Sequence, residues 1–437
     1  MINCFIPFLS LPQARQTVRA LGLCDRIKNI YLLATEKIPD EVEGCEMLMI
    51  DSPASTATFR TIALHADTAY TLLYTKYTAF EPGQFAFERL LAIAGDTNAG
   101  MLYADRYLLK NGNSQQAPVI DYQKGSLRDD FDFGSLLFFR SSVLKQAVRA
   151  MDADYRFAGL YDLRLRVSEL AELVHVNEYL YSEVETDIRK SGEKLFDYVD
   201  PKNRAVQIEL EAVCTAYLKR VGGYLAPDFE PVTFDAGGFE QEASVIIPVR
   251  NRIRTIEDAI RSVLAQKTTF RFNLIIVDNH STDGTSEAIG KYTADGRVVH
   301  LVPERSDLGI GGCWNVGVHH PACGKFAVQL DSDDVYSGPD TLQKIVDAFY
   351  EQNCAMVVGT YRMTDFKMNE IPPGIIDHRE WTLENGRNNA LRINGLGAPR
   401  AFYTPVLRRI NLPNTSYGED YALGLRISRT WRIGRIY

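Results

Sequence analysis

The stretch Lys325-Phe-Ala-Val-Gln-Leu-Asp-Ser-Asp-Asp-Val-Tyr-Ser-Gly-Pro-Asp340 decides how the chain folds. Its apolar opening reads as a parallel strand buried on both faces, the kind that carries chemistry at its carboxyl end. Asp331, Asp333 and Asp334 then crowd three negative charges into one turn, ahead of a helix beginning near Pro339. Such a turn calls for a cation. A hard divalent ion such as Mn or Mg takes oxygen ligands and leaves positions open for phosphate oxygens, which suits a substrate with a diphosphate leaving group. The plainer alternative is that Asp334 and Ser337 only cap or complement the following helix.

Outward from this strand, the second half repeats one pattern. Ser244-Val-Ile-Ile-Pro-Val249 is a buried-type strand, followed by a helix with Ile256, Ile260, Val263 and Leu264 on one face and a capping box of Thr255 and Asp258. Phe272–Val277 is a second strand, running into Asp278-Asn-His-Ser-Thr-Asp-Gly284, and Val298–Val302 a third. The turn Gly309-Ile-Gly-Gly312 opens a helix carrying Asn315 and Gly317. The first half alternates in the same way, with strands at Asn3–Leu9, Ile30–Ala34, Met47–Ile50, Ala69–Tyr74 and Met101–Tyr107. Helices are predicted over Ala54–Leu64 and around Tyr161–Val167, with an extended segment from Val174 to Tyr181. Strand alternating with helix is α/β. Residues 186–240 read as a helical connector, with Leu195, Val206 and Val213 among its apolar positions, closed by the Pro- and Gly-rich linker 227–238. The predicted domains are therefore 1–185, the connector 186–240, and 241–437.

At 437 residues, 46% hydrophobic and 24% charged, the chain is too long for one ordinary core. A net charge of -8 gives no basic footprint, which argues against nucleic acid as a partner. Seven cysteines without a Cys-x-x-Cys spacing suit reduced thiols in a cytoplasmic protein. The apolar opening Met1–Ser10 lacks a basic start and is cut short by Pro7 and Pro12, so it is not read as a signal peptide. No run approaches the roughly 20 apolar residues of a membrane span, although peripheral association stays open.

Five motifs in order carry a resemblance: Ser244–Asn251, Ile276–Gly284, Gly309–Gly312 with Asn315 and Gly317, Leu330–Asp334, and Gly418-Glu-Asp420. Together they resemble a family two glycosyltransferase of the GT-A fold, from residue 243 to the end. The resemblance implies two tandem GT-A-like, Rossmann-like domains with the helical connector between them, the second catalytic. It implies transfer of a sugar, with inversion, from a nucleoside diphosphate sugar, UDP-linked, to the hydroxyl of a carbohydrate or lipid-linked acceptor, in surface polysaccharide or glycolipid synthesis. By the same resemblance Asp333 binds the Mn or Mg ion, Asp331 faces ribose and metal, and Asp334 supports them. Asp278 would accept the imide N–H of uracil, or else serve as a turn-forming residue. Pro248, Val249 and Asn251 would floor the base and ribose, with Gly309 and Asn315 lining the donor site. Asp420 is the candidate base, oriented by Glu419, and Trp381 with His378 and Arg379 a candidate acceptor platform or simply packing.

Laid over the second half, the first repeats its element order but has Tyr74-Thr-Lys-Tyr77 where the second has Asp331–Asp334. Tyr-Thr-Lys-Tyr cannot hold a divalent cation, so the first half is expected to be a degenerate, non-transferring copy, keeping Asp162 opposite Asp420. The copy continues beyond the point matching Tyr437, which leaves the expectation of a C-terminally truncated catalytic domain. Two other readings remain. One is a sugar-nucleotide nucleotidyltransferase, disfavoured because Val249–Arg254 holds no glycine. The other is a non-catalytic carbohydrate-binding or assembly subunit.

Overall fold

The computed structural model describes residues 1–37, 40–110, 112–184 and 203–437, in two compact units, Met1–Gly223 and Tyr224–Tyr437. Both are α/β, as expected. In the first unit the strands are β1 (Ile2–Pro7), β2 (Ile27–Ala34), β3 (Glu46–Met49), β4 (Tyr70–Tyr74), β5 (Phe80–Pro82), β6 (Met101–Lys110), β7 (Asn113–Ala117), β8 (Leu136–Arg140) and β9 (Leu173–Val184). They lie in the order β3-β2-β1-β4-β8-β6-β9-β5, with β7 paired to β6.

In the second unit β10 (Ala243–Val249), β11 (Phe272–Asp278), β12 (Val298–Leu301), β13 (Phe326–Gln329), β14 (Met356–Val358), β15 (Tyr361–Thr364), β16 (Glu370–Ile376), β17 (Arg400–Tyr403) and β18 (Ile433–Arg435) follow. The main sheet runs β12-β11-β10-β13-β17-β14-β18, and β15 and β16 form a separate hairpin. β11 and β13 are buried at every residue and β10 at all but Pro248, which is why their sequences are continuous apolar runs rather than alternations.

Seven strands of each sheet follow one common order, while β5 and β7 of the nine-stranded first sheet have no counterpart in the seven-stranded second. Four parallel neighbours, centred on β1 in one and β10 in the other, give way to an antiparallel strand, β8 or β17, followed by one parallel pair. Strand order reverses between β10 and β13, and open α/β sheets bind ligands at the carboxyl ends beside such a switch point.

The connector differs from its expected form. Leu195 and its neighbours in 185–202 lie outside the described residues, but the helix Arg204–Arg220 belongs to the first unit. Its Glu209 accepts from the backbone N–H groups of Arg156, Phe157 and Ala158 at 2.7–3.1 Å, and Arg220 pairs with Glu169 at 2.8 Å. Residues 224–240 go with the second unit: the Leu225 backbone exchanges two 2.9 Å hydrogen bonds with the Asn388 side chain, and the Phe234 ring lies 5.1 Å from that of Tyr403. The break between units therefore falls after Gly223. The predicted capping box also fails, since Thr255 precedes its helix without a side-chain cap.

Candidate active site

The site forms where β13 ends. Asp331 is half-buried, Asp333 and Asp334 are exposed, and Asp420 with Glu419 opens the helix Glu419–Ser428 beside them. A left-handed Gly418 (φ 77°) turns the chain into that helix. Burial lifts the Asp331 carboxyl above its ordinary range; Asp333 and Asp420 add to this while Arg400 and Gln329 oppose it. Asp334 is exposed as a residue, yet loss of hydration around its carboxyl, followed by Asp331 and Asp333, pushes it up to about 6. Glu419, 6% exposed, is lifted mainly by burial, and its Oε2 is buried without a partner. Against these five carboxylates stand Arg400, whose Nη1 lies 2.6 Å from Asp420 Oδ2, and Arg252, whose Nε lies 3.8 Å from Asp333 Oδ2. The cluster carries more negative charge than its own arginines neutralise.

That imbalance, with an all-oxygen donor set, fits a hard divalent ion. The aspartates are splayed rather than drawn together. Among the described residues, the one group of three such side chains whose ligand atoms lie within 4.8 Å is Cys24, Asp25 and Glu88, in the first unit. Mutual repulsion accounts for the spread.

Asp420 is set by the start of its own helix, one part of the expected setting, and by Arg400 in place of the expected Glu419. Arg400 holds its Oδ2, and the Tyr421 backbone N–H donates to its Oδ1 at 2.6 Å. Arg400 in turn donates from Nε to Gln329 Oε1 at 2.8 Å, and Gln329 Nε2 donates to Asp331 Oδ1 at 3.1 Å. Neither Arg400 nor Gln329 sits in a recognisable motif. They meet because β17 runs antiparallel to β13, one residue beyond the Val328–Ala401 pair.

Several expected donor contacts prove to be contacts within the chain. Asp278 is fully buried at the end of β11. Burial pushes its carboxyl up, but hydrogen bonds from Ser281 and Ser286 outweigh this and hold it below the ordinary range. Both oxygens are thereby engaged, Oδ1 by the Ser281 N–H at 3.0 Å and Oδ2 by Ser286 Oγ. In this state Asp278 fixes the 279–286 turn. Asn251, in a left-handed conformation (φ 54°), accepts at Oδ1 from Thr282 N–H at 2.8 Å, and Val249 O accepts from Asn279 N–H at 2.8 Å. The loops after β10 and β11 are thus sewn together beside Pro248.

Gly309 and Gly311 do allow a close approach, but to the chain itself. A Cβ at Gly311 would fall 2.0 Å from Pro413 O, and one at Gly309 2.6 Å from the Thr415 carbonyl carbon. Asn315 spends both ends of its amide on the Leu412 backbone, at 2.8 and 2.9 Å. These residues position the 412–416 segment that leads to Glu419 and Asp420. Trp381 is 3% exposed with Gly386 against its ring, and His378 is 1% exposed, so neither is an open platform. Tyr361, at the start of the hairpin, feels both Asp334 and Arg400 and faces the cluster instead.

A mixed sheet with acidic groups at the end of one parallel strand and a carboxylate at a neighbouring helix start is the arrangement expected from the GT-A resemblance. Residues 244–409 match the glycosyl transferase family 2 model. An uncharacterized glycosyltransferase of Rickettsia conorii is 38% identical over 200 residues, 45% of this chain and 32% of that protein, and one of Rickettsia felis is 30% identical over the same length and shares. A Bacillus subtilis glycosyltransferase named for teichuronic acid biosynthesis, TuaG, is 33% identical over 120 residues, 28% of this chain and 46% of that protein. The chain thus spans about a third of the Rickettsia relatives. Among solved structures, Staphylococcus aureus TarS residues 1–349 align at a TM-score of 0.36 and 21% identity, over 44% of this chain and 57% of that one. No helix among the described residues is long and apolar enough to cross a membrane.

Proposed function

We propose that the second unit is a metal-dependent inverting glycosyltransferase, moving a sugar from a nucleoside diphosphate sugar, UDP-linked, to an acceptor hydroxyl. The observation that carries this is the acidic cluster at the end of β13, short of positive charge, with Asp420 facing it from another element. A Mn or Mg ion would be held by Asp333 and Asp331, with Asp334 in support, and would supply Lewis-acid stabilisation of the departing diphosphate. At an effective dielectric near 20, unit charges about 4 Å apart interact by roughly 4 kcal/mol, so charge placement here decides rates.

The chain's own residues do the rest. Asp420, held by Arg400 and the Tyr421 N–H, takes the acceptor's proton as the hydroxyl attacks the sugar carbon opposite the leaving group. The sewn 250–285 loops form a rigid floor for the nucleotide around Pro248, Val249 and Asn251. The name of TuaG supports a polysaccharide acceptor in surface polysaccharide synthesis, and the first unit is a copy that binds no donor.

A panel of UDP- and GDP-sugars incubated with Mn or Mg tests this reading. Metal-dependent release of UDP, accelerated by a carbohydrate acceptor, is expected. Metal-independent binding with no release in any pairing would favour a carbohydrate-binding subunit instead.

A further inference from the structure

Arg400 is one of the few buried cations of the second unit, 7% exposed, and its Nε and Nη1 both reach groups of the site. Nε donates to Gln329, Nη1 donates to Leu396 O at 3.1 Å and pairs with Asp420. Gln329, also 7% exposed, passes the contact on to Asp331. Asp331, Gln329, Arg400 and Asp420 therefore form one unbroken polar line, joining the carboxylate that faces the donor to the carboxylate that faces the acceptor. A buried amide and guanidinium in this position are costly to desolvate and rigid once paired, so they transmit a displacement rather than absorb it.

The first unit supplies an independent comparison. Its register aligns Leu73 with Gln329 and Leu137 with Arg400, since Leu73 pairs with Leu137 as the next step after Leu72 with Phe138, just as Gln329 and Arg400 follow Val328 with Ala401. Where Asp331 is replaced by Thr75 and Asp333 by Tyr77, both members of the polar line are leucines. The sheet needs neither Gln nor Arg at these positions to form.

We propose that Arg400 and Gln329 are positioning residues that couple the two halves of the reaction: Arg400 divides one positive charge between Asp420 and the Gln329–Asp331 arm, so that cation and donor at Asp331 and the setting of Asp420 depend on each other. This rests on the transferase reading above. When Asp331 turns to a cation, the arm slackens and Arg400 settles on Asp420. When Asp420 is neutralised, the guanidinium turns toward the arm and competes with the cation.

The test is a double-mutant cycle read by calorimetric binding of UDP with Mn2+ to the full chain, so it does not depend on turnover. Asp420→Asn is expected to weaken binding about tenfold in the native background, within the usual range of site-to-site coupling. With Gln329→Leu in place, which installs the residue the first unit uses, the same change should cost only about twofold, the residue of direct charge loss. Arg400→Lys, which keeps the charge but loses the Nε bond, should behave like Gln329→Leu in the cycle and keep more turnover than Arg400→Leu. Equal effects of Asp420→Asn in both backgrounds would overturn the coupling. Absence of any Mn2+-dependent UDP binding by the native chain would instead overturn the transferase reading itself.

Discussion

The two sheets share strand order and strand direction, yet they treat charge at the same place in opposite ways. In the second, the end of β13 holds carboxylates that exceed their arginines, open to solvent and to a cation. In the first, the end of β4 is closed on itself: Lys76 pairs with the fully buried Glu183, which also takes Arg106 Nε at 2.9 Å, while Arg106 reaches Asp132 at 3.0 Å. Tyr74 packs its ring 4.5 Å from Phe80 and bonds Thr78 through its hydroxyl at 3.0 Å. Even the retained carboxylate is spoken for, since Asp162 is held by Arg166 at 2.9 Å. The comparison teaches that the fold is kept by its apolar strands and pairing register, and that the same strand end can be self-neutralised in one sheet and left with excess negative charge in the other. A buried, self-neutralised network supports structure but offers a ligand nothing.

The comparison breaks most visibly at Asp420. Asp420→Asn should lower transfer by about 10²–10⁴-fold, the range for loss of a general base, while UDP and Mn2+ still bind, though more weakly. Single-turnover transfer measured beside calorimetry checks both halves of that statement.

Acidity sharpens it next. Asp334 is raised to about 6 in the fold, above the ordinary carboxylate value, so it binds a proton more readily folded than unfolded. Its contribution to stability is therefore present at low pH and is lost as pH rises from about 4 through 6. Cation binding runs the other way, strengthening over that window as the carboxylate ionises. Thermal melts from pH 4 to 7, with and without Mn2+, should converge at low pH and separate near neutrality.

A smaller effect is expected at Gly311, where an added Cβ would meet Pro413 O at 2.0 Å. Gly311→Ala should cost about 1–3 kcal/mol, the usual range for overpacking, seen as a Tm lowered by several degrees. Because the displaced segment leads to Asp420, kcat should fall with it. The smallest effect is a null one. Thr75→Asp with Tyr77→Asp in the first unit should create no second nucleotide site, because Lys76, Glu183 and Arg106 already occupy that strand end; the calorimetric stoichiometry should not change.

Most of the parallel half of each sheet was legible, because buried strands such as Val245–Ile247 and Leu274–Val277 are unbroken apolar runs and the Asp-rich turn is rare in sequence. The repeated strand order was legible for the same reason, but the opposition of Tyr74–Tyr77 and Asp331–Asp334 was one residue out of register, since the pairing sets Thr75 opposite Asp331 and Tyr77 opposite Asp333. The antiparallel part was not. β14, β17 and β18 are three or four residues long, too short for a period, and they lie among turns that the chain crosses several times. Arg400 was missed with them, since its role comes from register against β13 and not from neighbours in sequence. Gly309 and Asn315 were assigned to the donor because sequence shows that something approaches closely but not what. The structure answers that it is the 412–416 segment.

The central claim is that one strand end of the two binds a cation and nucleotide. Calorimetric titration of UDP with Mn2+ into the full chain, beside Asp333→Ala, tests it most directly. The account predicts one Mn2+-dependent site per chain that is lost in Asp333→Ala without loss of fold. Two sites per chain, or one that survives the substitution unchanged, would contradict it.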